Sequence, residues 1–146
     1  MSHVSTRELR SRLIVSLTAM TRALRIVVAD DEPDVRDYFQ RMLPRLGHEV
    51  VAAAANGREL VELCRKQKPD LIIADVRMPE MDGDEAVQEI CKDAPTPFIL
   101  ISASNKPARI PDGIGSIGWV CLTKPVKRED LAAAIEQVFS ASREQE

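Results

Sequence analysis

Aromatic side chains are scarce: one tryptophan, one tyrosine and three phenylalanines make up 3% of the 146 residues. That leaves too few rings for a stacking platform on single-stranded nucleic acid. Excess positive charge is lacking too. The formal net charge of -3 argues against a broad phosphate-binding surface. Only three cysteines occur, Cys64, Cys91 and Cys121, far apart and in no C-x-x-C pair. An odd number without metal-ligand spacing fits neither a disulfide framework nor a zinc site, so buried, reduced thiols in a cytosolic protein are expected. No apolar stretch approaches the ~18 residues of a membrane span. Arg7, Arg10 and Arg12 precede the run from Leu13 to Leu17, loosely like a signal peptide. The run is short, contains Ser16, and leads into Arg22 without an A-x-A-like site, so export is not expected and a cytoplasmic location is.

What is present suits one globular domain: 45% hydrophobic and 29% charged residues in a chain of single-domain length. From Leu24 onward, short apolar runs alternate with helical periods. The runs are Arg25 to Ala29, Val50 to Ala52, Leu71 to Ala74, Phe98 to Ile101 and Trp119 to Leu122. Three are nearly continuous in apolar residues, as in strands covered on both faces. Between them, Val35, Tyr38, Phe39, Met42, Leu43 and Leu46 recur at helical spacing, with Gly47 as a stop. Leu60, Val61 and Cys64 mark a second helix ending before Pro69, and Ala86, Val87, Ile90 and Cys91 a third ending before Pro95. Leu131, Ala134, Ile135 and Val138 mark the last. The alternation predicts an α/β, doubly wound parallel sheet, whose ligands sit outside the carboxyl ends of the strands.

Two segments stand apart. Between Ser104 and Trp119, where a crossover helix is due, come Pro107, Pro111, Gly113, Gly115 and Gly118. Proline removes a donor and glycine adds backbone entropy, which predicts a short or irregular helix there. Residues 1–23 form an N-terminal extension: Ser5-x-x-Glu8 matches a capping box, and Leu9, Leu13, Leu17 and Met20 follow at helical spacing. This predicts an extra N-terminal helix, read either as a docking element for a partner or second copy or as a loosely attached extension. The domain proper is expected over 24–142, with 143–146 as a tail.

The strand ends collect chemistry. Asp30-Asp31-Glu32 follows the first strand, Asp75 and then Met78-Pro79-Glu80-Met81-Asp82-Gly83 the third, Ser102-Ala103 the fourth and Lys124-Pro125 the fifth. Converging carboxylates repel and raise one another's pKa unless a hard divalent cation shares their oxygens; Mg²⁺ takes one or two carboxylates plus waters and phosphate oxygens. Lys124 supplies a point charge for a phosphoryl oxygen, Ser102 a short hydroxyl donor, and a carboxylate can serve as covalent acceptor. Each piece alone is weak. An acidic pair often caps a helix, as Asp31 would before Pro33. Met-Pro-x-Met-Asp-Gly can be a turn shaped by Pro79 and Gly83. In order, each at its own strand end, the pieces are specific.

With these residues the chain, from 24 to about 140, resembles the receiver domains of bacterial two-component response regulators. The resemblance implies a flavodoxin-like, five-stranded parallel sheet of order 2-1-3-4-5. It implies Asp75 as phosphoacceptor, with Asp30, Asp31, Asp75 and the backbone carbonyl of Arg77 holding Mg²⁺. It further implies that Ser102 and Lys124 contact the phosphoryl group. The donor would be a sensor histidine kinase or phosphotransfer protein, and homodimerisation on phosphorylation is one expected output. The protein would be a switch and not an enzyme. Residues 34–70 are also similar to receivers of antitermination-type regulators, which append an RNA-binding domain; no direct nucleic-acid binding is expected from this chain.

The match departs in places. Receivers usually carry an aromatic three residues before the lysine, a position held here by Cys121, while Trp119 lies two residues earlier on the same strand face. Either Trp119 substitutes or it packs at an edge, and edge packing is favoured. Arg77 either tunes the lifetime of the acyl phosphate or meets the kinase, or is simply solvated. Two rivals stand beside the switch. One is a phosphate-independent adaptor. The other is a Mg²⁺-dependent phosphatase, which needs a second carboxylate two residues after its nucleophile, where Arg77 stands.

Overall fold

In the computed structural model, residues 22–103 and 117–144 are described. The expected N-terminal helix and the segment 104–116 lie outside them. Five strands form one parallel sheet: β1 (Arg25–Ala29), β2 (Glu49–Ala54), β3 (Leu71–Asp75), β4 (Phe98–Ser102) and β5 (Trp119–Thr123), in the order β2-β1-β3-β4-β5. Four helices connect and cover it: α1 (Pro33–Arg45), α2 (Gly57–Gln67), α3 (Gly83–Asp93) and α4 (Arg128–Glu144). The expected doubly wound receiver architecture is what the chain adopts.

Strand periodicity divides the core in two. Val27, Ala29, Ile72, Ala74, Phe98 and Leu100 face α2 and α3, where Leu60, Val61, Ala86, Val87 and Ile90 pack. Ile26, Val28, Leu71, Ile73, Ile99 and Ile101 face α1 and α4, meeting Phe39, Leu43, Leu131, Ala134 and Val138. The inner strands are therefore apolar on both faces except at Arg25, Asp75 and Ser102 at their ends, and each buried large aliphatic side chain contributes about 1.5–3 kcal/mol. β2 is an edge strand, longer than its apolar run suggests, and its register against β1 shifts between Ile26 and Val27.

Local chemistry sets the helix limits. Pro33 opens α1, where its missing N–H costs nothing, and Gly47 after the helix takes φ 91°, a left-handed conformation suited to glycine. The cap position of α1 is Glu32, without a side-chain cap bond, so Asp31 is not the cap the sequence offered. α2 is capped by Asn56, whose Oδ1 accepts the N–H of Glu59 at 2.8 Å.

At the other edge, Trp119 stacks on Phe98 with ring centroids 6.0 Å apart and an interplanar angle of 12°, in keeping with edge packing. Cys64 is buried and Cys91 half-buried, but Cys121 is exposed, because alternate residues of β5 face outward at the sheet edge. All three thiols are free. Among the described residues, no helix is long and apolar enough to cross a membrane.

Candidate metal and phosphoryl site

β1 and β3 are neighbours, with Ala29 paired to Ala74, so the residues that follow these partners, Asp30 and Asp75, lie side by side at the carboxyl rim. Asp75 is itself paired to Ile101, which puts Ser102 one residue beyond on β4. Ser102 pairs with Thr123, and the N–H of Lys124 donates to the Ser102 carbonyl at 2.8 Å. The peptide between Lys124 and Pro125 is cis. Three of these strand ends bring the side chains of Asp30, Asp75 and Lys124 together, and Ser102 ends β4 on the same rim.

Asp30 and Asp75 are almost wholly buried, at 0% and 5% exposure, whereas Asp31 faces solvent. Each of the three offers a carboxylate oxygen within 4.8 Å of the others. An all-oxygen, anionic donor set open to solvent on one side fits a hard divalent ion such as Mg²⁺, which keeps several waters. Lys124 reaches in from β5. Its Nζ lies 3.1 Å from Asp30 Oδ2 and 3.3 Å from Asp75 Oδ2. Burial, and then the neighbouring Asp30 charge, push the Asp75 carboxyl above its ordinary range; Lys124 and the N–H of Arg77 oppose the shift. For Lys124, burial acts downward, but hydrogen bonding and charge from Asp30, then from Asp75, leave its ammonium above the usual value. The pocket is an under-compensated anionic site, the condition in which a divalent cation gains most.

The loops hold the acids in place. Asp30 Oδ1 accepts the N–H of Glu32 at 2.9 Å, and Asp75 Oδ1 accepts that of Arg77 at 3.3 Å. The side chain of Arg77 is exposed. Its backbone carbonyl lies in the loop directly after Asp75 and remains a ligand by resemblance alone. Asp82 Oδ1 accepts the N–H of Met78 at 3.3 Å, bracing that loop. Gly83 begins α3 with its N–H on the Val76 carbonyl, and a Cβ there would meet the Asp75 carbonyl oxygen at 2.0 Å. Its role is close approach, a requirement beyond the turn shape read from the sequence.

Sequence reasoning missed Arg36. Its Nη1 donates to the Asp30 carbonyl at 2.7 Å. The only hint was its place one turn into a helix beside the acidic pair. Also unforeseen is a cleft of about 510 Å³ between α1 and the loop after β5, lined by Asp34, Val35, Tyr38, Lys124, Pro125 and Val126.

Comparison with known proteins agrees with this fold. The family model described as response regulator receiver domain matches residues 26–136. The transcriptional regulatory protein PdtaR of Mycobacterium tuberculosis is 36% identical over 120 residues, covering 82% of this chain; the chain spans only 58% of that protein's length. The chemotaxis protein CheY of Thermotoga maritima is 32% identical over 115 residues, 78% of this chain and 96% of that protein. The solved receiver domain of the putative response regulator NarL from M. tuberculosis superposes with a TM-score of 0.68 at 32% identity, over 84% of this chain and 98% of that one.

Proposed function

The chain belongs to the response regulator receiver domain family, and on that premise we propose that Asp75 accepts a phosphoryl group from the phosphohistidine of a sensor kinase or phosphotransfer protein. The observation that carries this reading is the convergence of Asp30, Asp31 and Asp75 with Lys124 at one rim of the sheet.

Mg²⁺ held by Asp30, Asp31 and Asp75 would offset the charge of the incoming phosphoryl group, with the Arg77 carbonyl as a further ligand. An Asp75 oxygen forms the new bond to phosphorus while the P–N bond to the donor imidazole breaks and its electron pair stays on nitrogen. Lys124 binds Asp30 and Asp75; once phosphorus is attached, its ammonium has phosphoryl oxygens to engage. The Ser102 hydroxyl is the second donor in that role. Both sit at the ends of β4 and β5, so engagement draws in the loops that follow, a local charge change biasing a two-state element. Hydrolysis returns the carboxylate. No independent substrate is turned over, so the protein is a switch, not an enzyme.

The donor would cover the apolar cleft beside Lys124, since that cleft adjoins the acceptor. The reading places the protein in the cytoplasm, with homodimerisation as one output. Mg²⁺-dependent labelling by acetyl phosphate tests the central claim. The expected result is one phosphoryl group per chain, with labelling below a hundredth in Asp75→Ala. Undiminished labelling of that variant would move the acceptor to another residue, and absent labelling of the natural chain would favour the phosphate-independent adaptor.

A further inference from the structure

Asp30 is held through both its main chain and its side chain. Its main-chain N–H donates to the Ala54 carbonyl at 3.1 Å, its Oδ1 accepts from Glu32, and its Oδ2 accepts from Lys124. That leaves its carbonyl, in a residue with no exposed surface. The first turn of α1 offers it little. Pro33 has no N–H, the Glu32 N–H is taken by the Asp30 carboxylate, and the N–H groups of Val35 and Arg36 both go to the Glu32 carbonyl. The half-buried guanidinium of Arg36 fills the gap from one turn along the helix, at 2.7 Å.

We infer that Arg36 is a positioning residue for the metal site, fixing the backbone of Asp30 so that its carboxylate is oriented before a divalent cation arrives. The inference rests on the reading of Asp30 as a metal-holding carboxylate. The planar fork on a long stem suits the task, because it satisfies a buried acceptor while directing no bond at the carboxylate oxygens. Preorganised ligands bind more tightly because less ordering remains to be done on binding.

The sign of the effect separates positioning from charge. Removing a neighbouring positive charge, by itself, tightens cation binding. Loss of positioning weakens it. Mn²⁺ is the probe, its free fraction read by electron paramagnetic resonance on the full chain. Arg36→Met is expected to raise the Mn²⁺ dissociation constant about fivefold or more, and Arg36→Lys, which retains stem and donor, to stay within about twofold of the natural chain. Should Arg36→Met fail to fold, Arg36→Gln, with a shorter reach, is expected to weaken binding at least threefold. Val138→Ala, in the core between β-sheet and α4, controls for general loosening: its melting temperature falls while its Mn²⁺ affinity holds.

Unchanged or tighter binding in Arg36→Met, or equal weakening in Val138→Ala, overturns the positioning role and leaves the metal reading intact. Absence of Mn²⁺ binding in the natural chain, or binding that survives Asp75→Asn unaltered, overturns both.

Discussion

His48 sits where the chain turns from α1 into β2, and its Nδ1 accepts the N–H of Leu24 at 3.2 Å. Burial holds its pKa below the ordinary 6.5. The unfolded chain therefore takes up a proton before the folded one does, and stability present above pH 6.5 is lost as pH falls from there toward the folded value. Asp75 works in the opposite sense. Its carboxyl is raised in the folded state, so ionising it costs stability at neutral pH, and that cost fades as pH falls through the folded value toward 3.8. Urea denaturation in chelator should show stability declining just below pH 6.5, a decline that His48→Gln flattens. At pH 7 in chelator, Asp75→Asn should melt higher than the natural chain, because it removes one of the crowded charges. A lower melting temperature would mean that the bond to Lys124 outweighs the repulsion. The acids and the lysine were legible in the sequence, since each follows an apolar run that marks a strand. Arg36 and His48 were not, because a side chain bonding to distant main chain leaves no periodic trace.

The elements were legible for the same reason that the core is two-sided: inner strands read as unbroken apolar runs and helices as 3.6-residue periods. Their ends were less so. Asn56 caps α2 through a bond that nothing in the apolar pattern signals, and Asn56→Ala should cost ~1 kcal/mol in denaturant unfolding. The loop from 76 to 82 shows what sequence alone conceals. Neither end of it leaves space for a methyl group: a Cβ on Gly57 would meet the Met81 carbonyl oxygen at 2.1 Å, and one on Gly83 the carbonyl oxygen of Asp75, the residue before the loop, at 2.0 Å. Gly83→Ala and Gly57→Ala should each cost about 1–3 kcal/mol by overpacking. Because Gly83 abuts the acceptor residue itself, Gly83→Ala should also slow acetyl phosphate labelling.

Across the whole molecule, strand order turns separated residues into a site. The sheet runs β2-β1-β3-β4-β5, so the strand ends carrying Asp30, Asp75, Ser102 and Lys124 are consecutive along one rim. The reversal of chain order about β1 also opens the crevice there, as doubly wound sheets do. Periodicity gave the strands but not their order; that came only with the family resemblance. A cation bound to this rim in the folded state alone must stabilise the entire fold. Mg²⁺ at a hundred times its dissociation constant should add about 2.7 kcal/mol to unfolding, and Asp75→Asn should abolish most of the increment. Size-exclusion chromatography with beryllofluoride tests the proposed dimer, which an unchanged elution volume would refute.

The tryptophan at the start of β5 has a use beyond packing. It is the chain's sole indole, 40% exposed and lying flat on the Phe98 ring at the seam between the last two strands. Its emission comes from one known place, four residues upstream of Thr123 and on the strand that carries Lys124. Any rearrangement there alters the polarity around the indole, so the unlabelled protein carries its own optical gauge of that seam.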